Sequence, residues 1–86
     1  MRIDDNQIIY ELFKISSVIL PEKNDWSLDD VLNRLSTTLE STNRAELGER
    51  IRKVLKDLEQ KQAVIFVNGY DAFNLVEPKL AELTKV

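Results

Sequence analysis

The sequence predicts an α+β fold: three helices, then a β-hairpin, then a short closing helix. Three observations carry this. Apolar residues recur at three- and four-residue steps through three successive segments, the marker of amphipathic helices. Two short β-branched and aromatic runs then flank Asn68-Gly69-Tyr70-Asp71, and Asn-Gly is a strong hairpin signal. The chain has 86 residues with only two Gly and two Pro, which suits one modest core and a single domain over residues 1–86.

The first helix is expected to start at Asp4 or Asp5, because Asp4 and Gln7 have the spacing of a capping box. Ile8, Ile9, Leu12, Phe13, Ile15 and Ile19 form its apolar stripe. Pro21 drives Leu20 out of helical geometry, so the helix should fray by Ser16-Ser17 and leave Val18 to Leu20 free to extend as a short strand. Ser27 caps the second helix with Asp30 at its third position, and Trp26 and Val31 stand at the positions of a hydrophobic staple. Its stripe is Leu28, Val31, Leu32, Leu35 and Leu39, and Glu40-Ser41-Thr42 is the turn. Asn43 caps the third helix with Glu46 at the box position, and Leu47, Ile51, Val54, Leu55 and Leu58 carry its core face to about Gln60.

Gly48, inside that helix, costs about 1 kcal/mol relative to Ala, which points to close helix packing or to a partner's backbone. Strands are expected over Ala63–Val67 and Ala72–Val76. A four-residue loop places Phe66 opposite Phe73 and Val64 opposite Leu75, so one hairpin face is wholly apolar. Pro78 opens the tail helix, which carries Leu80 and Leu83.

Composition removes several kinds of chemistry. The chain lacks Cys, and with it thiol nucleophiles, disulfides and thiolate metal sites. It also lacks His, the usual general base and zinc ligand. The pairs Asp4-Asp5 and Asp29-Asp30 fall at helix starts, where they complement the macrodipole, and they are read as structural. No enzyme activity, cofactor or metal is therefore expected. No apolar run is long enough to span a membrane and the N-terminus has no secretory pattern, so an intracellular location, cytoplasmic or nucleoid/nuclear, is expected.

Charge is uneven along the chain. The net charge is −3, yet residues 43–61 hold six basic and four acidic side chains, whereas residues 1–42 hold four basic and eight acidic. On a helical wheel the face of the third helix opposite its core stripe carries Glu46, Glu49, Arg50, Lys53, Lys56, Asp57 and Gln60.

The order of elements resembles the winged-helix (winged helix-turn-helix) superfamily over roughly residues 4–80. Arg52 to Val64 is similar to a recognition helix running into a first wing strand in MarR-like and PadR-like regulators, and Phe73 to Pro78 is similar to their second wing strand. The resemblance implies a three-helix winged helix-turn-helix with a two-stranded hairpin wing. It also implies a small DNA-binding regulator of transcription that acts by occupying its site. The candidate binding residues are Asn43, Arg44, Glu46, Glu49, Arg50, Lys53 and Lys56 of the third helix, with Asn68 and Tyr70 of the wing. Basic side chains there meet phosphates, whereas Glu46 and Glu49 in the leading turns repel them. The wing tip has no Lys or Arg, and Tyr70 reads more readily as an ordinary surface aromatic than as a stacking residue.

The alternative is an acidic winged-helix protein-interaction module within a larger assembly, using helix three or the hairpin edge and not binding DNA. A homodimer through the first and last helices is expected, because their apolar positions exceed what a three-helix core absorbs.

Overall fold

In the computed structural model, which describes residues 4–40 and 43–84, the first turn of helix α1 (Asp5–Lys14) is held by a reciprocal pair of hydrogen bonds. The Asp4 amide donates to Gln7 Oε1 at 2.8 Å, and the Asp4 carboxylate accepts from the Asn6 amide at 3.0 Å. The helix does not fray at the serines. It continues as a π-helical segment over Ile15–Ile19, closed by Leu20 N–H to Ile15 C=O at 3.0 Å. Both Ser16 Oγ and Ser17 Oγ donate to the Phe13 carbonyl, at 2.9 and 2.8 Å. Such back-bonding competes with the helical ladder and opens the turn by one residue. The expected strand over Val18–Leu20 is therefore absent, and extended pairing begins later, at Trp26.

Trp26 makes an antiparallel bridge to Phe73, with Trp26 N–H to Phe73 C=O at 2.8 Å and Phe73 N–H to Trp26 C=O at 2.9 Å. The Asp25 amide adds a bond to Asn74 Oδ1 at 2.8 Å. Helix α2 (Leu28–Thr38) then starts from a complete Ser27–Asp30 capping box. The turn after it holds Glu40 at φ 53°, while Ser41 and Thr42 of the expected turn lie outside the described residues.

Helix α3 (Arg44–Gln60) buries Leu47, Gly48, Ile51, Val54, Leu55 and Leu58. It ends in a Schellman pattern: Ala63 N–H reaches Leu58 C=O at 2.8 Å and Gln62 N–H reaches Glu59 C=O at 3.0 Å, with Gln62 at φ 63°. A methyl group added at Gly48 would meet Leu32 Cδ2 at 3.8 Å, an ordinary contact. Packing against α2 does not require glycine there, and nothing else in the structure explains it.

Strands β1 (Val64–Phe66) and β2 (Phe73–Leu75) pair antiparallel with Val64 opposite Leu75 and Phe66 opposite Phe73, as the loop length predicts. They are shorter than expected at both ends. Helix α4 (Glu77–Thr84) packs against α1 and buries Leu80 completely. One core joins Ile8, Leu12 and Ile15 of the first segment to Leu35 of α2, Ile51 and Leu58 of α3, Val64 and Phe73 of the hairpin, and Leu80. The apolar surplus assigned to an intermolecular contact is thus largely taken up within the chain. Tyr10, Val18, Ile19 and Leu83 remain exposed on these segments. No helix among the described residues is long and apolar enough to cross a membrane.

Candidate functional site

Helix α3 is the longest element, and its outer face holds most of the residues singled out above. Its N-terminus is built by Asn43, whose Oδ1 accepts the Glu46 amide at 3.1 Å and whose Nδ2 donates to Glu46 Oε2 at 3.4 Å. Asn43 and Glu46 are therefore engaged with each other in starting the helix, while both stay exposed. Arg44, Glu49 and Lys53 are exposed beside them. Glu49 and Lys53, four residues apart on α3, form no ion pair with each other.

Arg50 is in a different situation. Its guanidinium donates to Asp5 Oδ1 at 2.8 Å, which ties α3 to the start of α1. Lys53 shares a shallow cleft with that pair. An arginine held this way is only partly available to a partner, so the cations that stand free on α3 among the described residues are Arg44, Arg52, Lys53 and Lys56.

The hairpin reaches α3 through its aromatic residues. Phe73 is buried in the core, Phe66 packs on it edge-to-face at 6.0 Å, and Tyr70 packs on Phe66 at 4.9 Å with a 71° interplanar angle. The Lys56 ammonium sits 5.6 Å from the Tyr70 ring, at the end of this row. Lys56 and Tyr70 are thus brought together. Asn68 meets Tyr70 through a backbone bridge, and its carbonyl accepts the Asp71 amide at 2.9 Å to close the tip.

Five residues outside the candidate set, Leu28, Arg52, Leu55, Phe66 and Phe73, complete the surface. Arg52 and Leu28 line a cleft of about 190 Å³ together with Leu55, Lys56, Phe66, Tyr70 and Phe73. Arg52 and Lys56 are four apart and share a helical face, a spacing that marks them as neighbours from sequence alone. Leu28 had no comparable marker, because its approach depends on the Trp26–Phe73 bridge.

In the same first turn of α2 as Leu28, the Asp30 carboxyl is held below the usual carboxylate range. The hydrogen bond from the Ser27 amide at 3.2 Å is the main cause; desolvation opposes it, and Ser27 Oγ and the Lys23 ammonium at 3.7 Å add to the lowering. Lys23 also lies 4.9 Å from the Trp26 ring. This cluster fixes the entry to α2 and is structural. No protein-family model, curated protein or solved structure matches the chain.

Proposed function

We propose that the chain is a winged-helix module that binds double-stranded DNA through α3 and the hairpin, and that it regulates by occupying its site. Four features support the fold reading: the order helix, single bridge, helix, turn, helix, hairpin, helix; the Trp26–Phe73 bridge, which adds a third, minimal strand to the hairpin; the close α2–α3 succession; and the α1–α4 closure. The observation that carries the function is the group of free cations Arg52, Lys53 and Lys56 within about 100° on the outer side of α3, joined to the hairpin tip by the Lys56–Tyr70 contact, with Arg44 exposed at the start of the helix. Charges spaced along one helix suit a phosphate backbone, whose neutralisation dominates affinity. Two copies meeting through exposed Val18 and Ile19 would read paired half-sites.

The test is a salt titration against mixed-sequence duplex DNA. Four phosphate contacts give a slope of about −3 to −4 in log affinity against log salt. The double variant Arg52→Glu/Lys53→Glu flattens that slope by about two units and leaves the circular dichroism spectrum unchanged. Absence of binding at about 50 mM salt overturns the reading.

The second reading, an acidic protein-interaction module, is favoured by exposed Glu46 and Glu49 in the leading turns of α3 and by a hairpin tip, Asn68 to Asp71, without a cation. Replacing both glutamates by glutamine strengthens DNA affinity under the first reading. Under the second it abolishes capture of a basic partner.

A further inference from the structure

The cleft between α3 and the hairpin has two kinds of wall. Buried Leu55 and Phe73 form its floor, and half-buried Leu28 and Phe66, with Tyr70, form its apolar sides. Its remaining lining residues are Arg52 and Lys56, both exposed and neither in an ion pair among the described residues. No carboxylate lines it. Phosphates alone would meet the two cations and leave the aromatic floor unfilled, so the DNA reading does not account for this cleft.

We propose that the cleft docks an acidic peptide segment through one large apolar side chain. Volume selects this occupant. At about 190 Å³ the cleft falls short of the roughly 300–1,000 Å³ of small-molecule sites, and it suits a single anchoring side chain. Charge selects the flanks. Carboxylates on either side of the anchor reach Arg52 and Lys56, whose alkyl stems continue the apolar wall. A central apolar anchor inside a ring of polar contacts is the usual anatomy of a binding hot spot. The docking stands apart from the DNA reading, although Arg52 and Lys56 belong to both, so a bound peptide competes with duplex DNA if both hold.

The experiment is an NMR titration of the ¹⁵N-labelled full chain with a capped seven-residue peptide, phenylalanine flanked on each side by three glutamates. Saturable shifts are expected at Leu28, Leu55, Phe66, Tyr70 and Phe73. Two control peptides, one with alanine at the centre and one with glutamines for the glutamates, should each bind at least about tenfold more weakly. The double variant Arg52→Ala/Lys56→Ala should lose a similar factor toward the parent peptide. Tyr70→Ala, at a position 68% exposed, removes one wall without touching the core and should weaken the parent peptide while keeping the native spectrum.

No shift at about 1 mM peptide overturns the proposal, since that concentration reveals even millimolar affinity. Equal binding of the alanine-centred peptide also overturns it, by showing charge attraction alone. Shifts at the same residues on diluting the protein without peptide would make a second copy the occupant, and equal shifts from benzoate would make it a small aromatic acid. Either result overturns the peptide assignment. Loss of duplex binding in the salt titration leaves this proposal untouched, which separates the two failures.

Discussion

The two sides of α3 use the same residue types to opposite ends. On the side facing α1, Arg50 is clamped to Asp5 and the apolar residues Ile8, Leu12 and Leu80 are fully buried. On the side facing the hairpin, Arg52 and Lys56 stand free over an open aromatic cleft, and Tyr70 is left in solvent. The first side is satisfied within the chain; the second holds apolar surface and two cations with no carboxylate partner among the described residues. Charge type alone therefore says little about role. What separates Arg50 from Arg52, two residues on, is about 200° of helical rotation and the presence of a carboxylate opposite.

The sharpest break between the sides should appear in stability. Leu80→Ala removes a buried side chain from the α1–α4 contact and should cost about 2–5 kcal/mol. Tyr70→Ala loses one edge-to-face contact at the surface and should cost no more than about 1 kcal/mol. Urea denaturation of both variants measures this directly. Equal costs would mean that the hairpin tip carries structural weight and that α4 is an appendage, the reverse of what burial shows.

Legibility in the sequence divides along the same line between local and distant pairing. The caps at Ser27 and Asn43, the core stripes of α2 and α3, and the hairpin register follow from spacings of two to four residues, and these were readable. The Asp5–Arg50 pair joins residues 45 positions apart, and the Trp26–Phe73 bridge is a single residue pair with no periodicity to signal it. The π-helical segment arises from two serine hydroxyls converging on one carbonyl, a geometric coincidence that composition does not encode. Of the candidate site, the cationic face was readable from the helical wheel. The Arg50 clamp and the cleft required the tertiary arrangement.

A smaller effect tests whether the α1 side is held by charge at all. The Asp5–Arg50 pair is short at 2.8 Å, but both side chains are substantially solvated. Exposed pairs contribute about 0.2–1 kcal/mol, so a double-mutant cycle with Asp5→Ala and Arg50→Ala should return a coupling in that range, falling with added salt. A coupling near zero would leave the apolar contacts of α1 with α4, α3 and α2 to hold that side. It would also return Arg50 to the set of cations open to a partner, and the Arg50→Glu variant would then weaken DNA binding as much as Lys53→Glu does.

The smallest expected effect lies at the entry to α2, where Asp30, Ser27 and Lys23 stand beside Trp26 on the hairpin side. The Asp30 carboxyl titrates below the usual range in the folded chain because the Ser27 amide, the Ser27 hydroxyl and Lys23 all favour its charged form. A depressed native value means that the unfolded chain takes up the proton first as pH falls. The stabilisation is therefore fully present above the ordinary carboxylate range and is lost as pH drops through the lower native value. Asp30→Asn keeps the size of the side chain and removes the charge, so it should be less stable than the parent at neutral pH. The two unfolding free energies should converge in acid. Because Asp30 remains largely solvated, the gap should also shrink in high salt. A gap unchanged across the acid range would show that the Ser27 hydrogen bonds act through geometry alone, and that the hairpin side, like the side facing α1, draws its stability from packing rather than from charge.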